Sequence, residues 1–503
     1  MNINVAEYRQ RVLGCWLGKN IGGTIGAPME WKRQVNDVSF YTQELGGEPL
    51  PNDDLDIQLL WLVAMEEKGT KLDAQILADY WLTYVTPHWA EYGICKSNLR
   101  NGLLPPLSGT FGNNYKDSCG AFIRSEIWAC VCPGSPRLAA KMAYEDAIID
   151  HGNGEGTYAE VFCAAIEAAA FVEHDLRKLI DIGLTYIPTD CAVADVVKFT
   201  IQCHKSGITW LESRNQVLKY FRGGLWAPER KVLEEDKKRG WPVGRQGFDV
   251  PSNIGMLLIG LLYGEGDFAK TICTAVNCGE DTDCTAATAG SIFGIIHGAK
   301  AIPEKWIKPI GRKIKTACLN LGELGYFGNQ LPADVDLLTE RTLTVARRVA
   351  ADRYTWIDIG DAPTDLKKST EELGSDMAAS FYIHINGPKF PFPFFEVSLD
   401  YGQEGPVIRA GQTRELKMRL VNQYKYQTML NVHWYLPEGL VVENGIDTTL
   451  PVLQPSFGEP PVITWRIRCD AVHSPVIRAA VEFTQPGRAS VMHVPVTFLH
   501  TAG

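Results

Sequence analysis

Two clusters of acidic residues stand far apart in this chain, and each precedes an apolar run. The first is Asn52-Asp53-Asp54-Leu55-Asp56, followed by Ile57-Gln58-Leu59-Leu60-Trp61-Leu62. The second is Gly279-Glu280-Asp281-Thr282-Asp283-Cys284, followed by a run rich in Ala and Gly. One or two carboxylates at such a place are ordinary helix caps, accepting hydrogen bonds from free backbone N–H groups at the positive end of the helix dipole. Three within five residues exceed what capping needs, and the pattern occurs twice. Carboxylates crowded into a buried site repel one another and cannot all remain ionised. A divalent cation resolves that conflict if the fold unites the clusters, and oxygen donors select a hard ion such as Mg²⁺, Mn²⁺ or Ca²⁺.

The elements that must do the uniting are readable from spacing. Gly14, Gly18, Gly22 and Gly26 recur every fourth residue, as do Ala286, Gly290, Gly294 and Gly298. Residues four apart share one face of a helix, so each series is a stripe without side chains. Each glycine costs a helix interior about 1 kcal/mol relative to alanine. Two such stripes call for a packing reason, and a central pair of helices in close contact supplies one. Ser135-Pro136 marks another helix start, while Thr157–Phe171 and Asp334–Ala351 read as helices. The segment 1–356 is therefore expected to be a mainly α catalytic domain. Residues 357–394, rich in Gly, Pro and mixed charge, read as a linker. From Phe395 onward apolar residues alternate with polar ones: Phe395, Val397 and Leu399; Leu416, Met418 and Leu420; Ile463, Trp465 and Ile467. That period of two predicts a C-terminal Ig-like β-sandwich over 395–503.

Bulk composition narrows the function classes. A chain of 503 residues exceeds one ordinary hydrophobic core. A net charge of −10 argues against non-specific binding to nucleic acid or anionic membranes. The first residues lack a secretory pattern, and the thirteen cysteines are odd in number and irregular in spacing, so a reducing cytoplasm is expected. No Gly-rich phosphate loop follows a strand, and no GxSxG elbow is present. Trp89, Trp226 and Trp241 lie beside turn signals and are candidate sugar-stacking platforms.

Four motifs in order carry a resemblance. Gly14-Cys15-Trp16-Leu17-Gly18 with Gly26-Ala27-Pro28-Met29-Glu30 resembles the opening of the ADP-ribosylglycohydrolase family. Asn52-Asp53-Asp54 is similar to its first metal motif, and Asn277 to Cys284 to its Gly-Gly-Asp-Thr-Asp-Thr motif. Between them, Ala143 to Ala147 with Asp150, His151 and Gly154 resembles the central Asp-Ala…His helix. The resemblance implies an orthogonal α-helical bundle with a two-metal centre of Mg²⁺ or Mn²⁺, hydrolysing a bond at C1 of a ribosyl group. It makes Asp53, Asp54, Asp281 and Asp283 metal ligands, with Asn52 and Cys284 at two further ligand positions. Glu30 matches the mobile glutamate beside the substrate, and Glu30 and Asp54 are the expected catalytic carboxylates. Arg124, Glu126 and His151 are expected to meet the substrate. Asn52 and Cys284 stand where the family pattern has hydroxyl residues, and a thiol is a poor partner for Mg²⁺. One or two ions are therefore expected, with Asp56 a substitute ligand. Three functions follow: a metal-assisted hydrolase of a carbohydrate glycoside, an ADP-ribosyl hydrolase acting on a protein or small acceptor, or a binding protein without turnover. The expected partner is a small sugar or ADP-ribosyl compound, not nucleic acid or membrane.

Overall fold

The computed structural model describes residues 1–30, 32–222, 247–319, 330–353, 355–366, 370–375, 382 and 386–500. It divides into two compact units. One comprises Met1–Ile94 with Gly112–Tyr382, the other Cys95–Phe111 with Ile383–Gly503.

The first unit is helical. Its principal helices are α1 (Val5–Gly26), α2 (Asp53–Lys68), α3 (Ala74–Tyr84), α4 (Ala90–Arg100, whose end passes into the second unit), α5 (Pro136–Ala147) and α6 (Glu155–Ala169). They continue with α7 (Leu176–Leu184), α8 (Ala192–Lys205), α9 (Trp210–Phe221), α10 (Val250–Tyr263), α11 (Phe268–Asn277), α12 (Thr282–His297) and α13 (Val335–Asp352). Starts are set by side-chain caps. Asn4 accepts from the N–H groups of Ala6 and Glu7, Asp73 from those of Gln75 and Ile76, and Thr209 with Glu212 forms a capping box. Each cap contributes about 1 kcal/mol. A short strand β1 (Asn2–Asn4) pairs in parallel with β2 (Asp358–Gly360). Among the described residues, no helix is long and apolar enough to cross a membrane.

The two glycine stripes meet. A methyl group added at Gly14 would lie 2.5 Å from the Gly294 carbonyl oxygen. Added at Gly18, Gly22 or Gly26, it would run into the backbone of Gly290, Ala286 or Asp283. The pairing order shows that α1 and α12 run antiparallel, backbone against backbone, at the centre of the helical unit. The end of α1 is thereby placed at the start of α12. A three-residue turn, Ala27–Met29, then delivers Glu30. Both helices are almost wholly buried between Cys15 and Gly26 and between Thr282 and Ile296.

The second unit is a sandwich of two antiparallel sheets. One has the order β11-β10-β6-β8 and the other β3-β4-β5-β9-β7. The strands are β3 (Lys389–Phe392), β4 (Phe395–Asp400), β5 (Thr413–Asn422), β6 (Thr428–Tyr435), β7 (Leu440–Val442), β8 (Asp447–Val452), β9 (Val462–Cys469), β10 (Val476–Thr484) and β11 (Val491–Leu499). Inward residues alternate as the sequence predicts: Val397, Leu399, Leu416, Met418 and Leu420 are fully buried. Trp434 of one sheet meets Trp465 of the other edge-on at 5.5 Å. Leu103 and Leu107 belong to the same core, which is why Cys95–Phe111 groups with this unit. Strands β2 and β3 fall within the stretch 357–394 expected as linker. Their three and four residues are too short to display a period.

A Gly18→Ala variant gains about 1 kcal/mol of helix propensity. It must also push two backbones apart, which costs about 3 kcal/mol or more. Thermal melting followed by helical circular dichroism is expected to show net destabilisation; a raised midpoint would refute the backbone contact.

Candidate active site

Three chain ends converge. Helices α2 and α12 both begin with aspartates, and the turn after α1 brings Glu30 beside them. Asn52 caps α2, its side-chain oxygen accepting from the Asp54 N–H at 2.7 Å. Asp281 stands at the start of α12, and Glu280 before it adopts φ 69°, a strained conformation for a residue with a side chain. Glu280 is held there by two buried arginines, Arg33 at 3.1 Å and Arg222. Arg33 lies three residues beyond Glu30, so this clamp ties the segment carrying Glu30 to the turn carrying Asp281.

These elements enclose a cleft with about 490 Å³ of empty space, open to solvent. Glu30, Asp53, Asp281, Asp283 and Cys284 line one part of it, and Trp89, Glu91, Tyr92, Ser118 and Gly120 line another. Donor atoms of Glu30, Asp281 and Asp283 lie within 4.8 Å of one another, as do those of Asp54, Asp283 and Cys284. Asp283 is common to both groups. Asp53 stands beside them, its carboxylate accepting from the Tyr92 hydroxyl at 3.2 Å.

The electrostatics are those of a site awaiting positive charge. Both side-chain oxygens of Asp54, and one each of Asp281 and Asp283, are buried without a hydrogen-bond donor. Burial and the neighbouring carboxylates push Glu30 up to about 9, and burial with Asp283 pushes Asp53 up to about 6. Asp54 and Asp281 are raised well above the usual carboxylate range, again by burial first and by neighbouring carboxylates after it. Lys19 offers a nearby cation. Burial would lower its ammonium, but Glu126 and Asp54 outweigh burial and hold it above its ordinary value. Orphaned oxygens, oxygen-only donors and mutual repulsion together fit a hard divalent cation. Asp54, Asp281 and Asp283, whose orphaned oxygens converge there, are the residues that would hold it, with Glu30 beside them. Burial and the same carboxylates raise the Cys284 thiol, so it stays protonated and is a poor ligand.

The remaining residues singled out in the sequence are placed as follows. Asn52 serves as a helix cap. Asp56 is turned away, one oxygen accepting the N–H groups of Ala317 and Cys318 at 2.5 Å each, so it does not act as a substitute ligand. Arg124 and Glu126, expected to line the substrate cleft, are not among its lining residues. Arg124 is fully buried, paired with Asp146 at 2.9 Å and Asp150 at 2.6 Å, and stacked over Trp81. Glu126 is equally buried and accepts from Lys19 at 2.7 Å and Gln58 at 2.9 Å. Asp146 also accepts from the indoles of Trp61 and Trp128. His151 lies behind the cleft wall, 3.1 Å from the Ser118 hydroxyl. Trp89 is on the cleft and 54% exposed. Trp226 and Trp241 lie outside the described residues. Glu91, Ser118 and Lys19 went unnoticed in the sequence. Glu91 follows Ala90, whose φ of 41° marks a forced backbone, but nothing in the local composition signals that strain.

Fold and site together define a helical protein with a carboxylate-lined cleft suited to a divalent cation. A family model described as ADP-ribosylglycohydrolase matches residues 4–341, and the chain belongs to this family of glycohydrolases. A solved structure titled "ADP-ribosylglycohydrolase-related protein complex" is 19% identical with a TM-score of 0.44, covering 68% of this chain and 99% of that one. A FixG-related protein from Vibrio parahaemolyticus is 10% identical with a TM-score of 0.18, covering 22% of this chain and 99% of its own. No curated protein matches.

This geometry predicts three outcomes. The raised carboxylates bind more protons folded than unfolded, so they destabilise the cation-free protein as pH rises from about 5 towards 9. Added Mg²⁺ should raise the melting temperature more at pH 8.5 than at pH 5.5. Asp54→Asn should stabilise the cation-free protein by about 1–2 kcal/mol and abolish the Mg²⁺ shift; a shift independent of pH would contradict the site. Arg124→Ala leaves two buried carboxylates without their partner and should cost about 3–5 kcal/mol in urea unfolding. Unaltered stability would show that Arg124 is not structural.

Proposed function

We propose that this protein is a metal-assisted hydrolase that cleaves the glycosidic bond at C1 of a ribosyl-like or other sugar in a carbohydrate glycoside. The observation that carries the reading is the pairing, in one cleft, of buried unpartnered carboxylates with an exposed tryptophan. Carboxylates able to hold a cation suit sugar hydroxyls, and Trp89 suits a sugar face. Among the described lining residues there is no Lys or Arg to meet a pyrophosphate, which favours a neutral carbohydrate over ADP-ribose. Removal of ADP-ribose from an acceptor is the second reading, favoured by the family match over residues 4–341. None of the cysteines forms a disulfide, which accords with a reducing compartment such as the cytoplasm.

A cation, with Mg²⁺ favoured by the all-oxygen donor set, would orient sugar hydroxyls and offset the clustered negative charge. Asp54, Asp281 and Asp283 hold their place through helix starts, not through flexible loops. Glu30 follows a three-residue turn at the edge of the cleft. Its carboxylate is placed to take the proton of the water that attacks C1. Asp53 is oriented by the Tyr92 hydroxyl towards the same space.

The test is to assay purified protein, with Mg²⁺ and with EDTA, against aryl furanosides, aryl pyranosides and an ADP-ribosylated peptide. Turnover of a glycoside that EDTA abolishes is expected. Glu30→Gln should lower kcat by about 100-fold or more with Mg²⁺ affinity retained. Asp281→Ala should abolish both. Release of ADP-ribose with no glycoside turned over would sink this reading in favour of the second.

A further inference from the structure

The cleft holds a second constellation that the carboxylate cluster does not account for. Glu91, at the start of α4, is 6% exposed and lines the cleft also lined by Glu30 and Asp283. One of its oxygens is buried without a partner. The other lies against Gly120, where any side chain would strike it and crowd the His151 ring. Behind this wall runs a chain of buried polar groups. The Ser118 hydroxyl meets His151 Nε2 at 3.1 Å, His151 Nδ1 meets Asp150 at 2.9 Å, and Asp150 is gripped by Arg124 at 2.6 and 3.1 Å.

Donor atoms of Glu91, Asp150 and His151 also lie within 4.8 Å of one another. A cation is not what this trio is built for, because both Asp150 oxygens are already bonded to Arg124, which supplies the positive charge. Arg124 and His151 push Asp150 down to about 2 against the effect of burial. Glu91 faces the opposite balance. Burial first, then Asp150, push it up to about 7, against the lowering effects of His151 and Ser118. The Tyr92 hydroxyl and the Cys119 and Cys318 thiols, which also face it, are raised by burial and stay neutral. A carboxyl of this kind carries its proton for a large part of the time at neutral pH, as a proton donor must.

Hydrolysis at C1 asks for two proton movements, one onto the departing oxygen and one off the water. Glu30 provides for the second only. We infer that Glu91 donates the proton to the departing glycosidic oxygen, and that Ser118, His151, Asp150 and Arg124 form a positioning chain behind it. This assignment rests on the glycosidase reading above. As the bond from C1 to the leaving oxygen breaks, the Glu91 proton passes to that oxygen. Water adds to C1 and gives its proton to Glu30. Glu91 then regains a proton from solvent and Glu30 releases one to it, so the net change is one water consumed per bond cleaved.

The experiment compares full-length wild type, Glu91→Gln and Ser118→Ala on aryl glycosides of graded leaving-group acidity, from dinitrophenyl to phenyl, in saturating Mg²⁺. Glu91→Gln is expected to lower kcat/KM by about 100-fold or more on the phenyl glycoside and less than about fivefold on the dinitrophenyl glycoside, whose leaving group needs no proton. Retained turnover of the activated substrate also shows that the variant folds. Ser118→Ala should steepen the same leaving-group dependence to a smaller degree, which a merely structural role would not do. An equal loss on every leaving group, or no loss on any, would overturn the assignment while leaving the glycosidase reading intact. A wild type that cleaves none of the glycosides would overturn both.

Discussion

Backbone contact between α1 and α12 is the constraint from which the site follows. With glycine at every facing position of α1, the two backbones meet directly, and their register is set by main-chain atoms. That register puts the last turn of α1 against the first turn of α12. Glu30 and Asp283 come from opposite ends of the helical unit's sequence, yet they are neighbours because Gly26 lies on the backbone of Asp283. The weak helix propensity of five glycines in α1 is tolerated for this reason. The lost propensity is offset by close packing over the length of both helices.

Charge is organised in shells around that contact. Oxygens of Asp54, Asp281 and Asp283 at the cleft are left without donors, whereas one layer deeper Glu126 is matched to Lys19 and Gln58, and Asp150 and Asp146 to Arg124. Buried ion pairs contribute little net stability, because desolvation offsets most of the attraction. Their use here is to hold a polar wall behind the cleft in one geometry.

Much of this was legible in the sequence, for identifiable reasons. Stripes at a spacing of four announced a close helix pair, and dense aspartates at two helix starts announced a site. Alternation from Phe395 onward announced the sheets. What escaped depended on partners distant in sequence. Arg124 has nothing beside it that shows it will be enclosed by Asp146, Asp150 and Trp81. Asp56 cannot be told from Asp53 until the 317–318 backbone arrives to bind it. Glu91 looks like any acidic residue at a helix start. Leu103 and Leu107 read as part of a helical stretch, though their burial is in a β core nearly three hundred residues further on. The alignment of Asn52 and Cys284 with ligand positions of the family was visible, but the diversion of Asn52 to capping was not.

The glycine contact also limits how the cleft can move. Helices that pack through side chains can slide by small changes of rotamer, the usual basis of shear motion. Here there are no intervening rotamers to change, and the next register that interlocks is a full turn away, about 5.4 Å. The aspartates that begin α12 are therefore fixed relative to α1 as rigidly as two parts of one helix. The segment that carries Glu30 is held to the same frame by a second device, the buried pair of Arg33 with Glu280 at 3.1 Å, so the carboxylates from both helix ends share one rigid support.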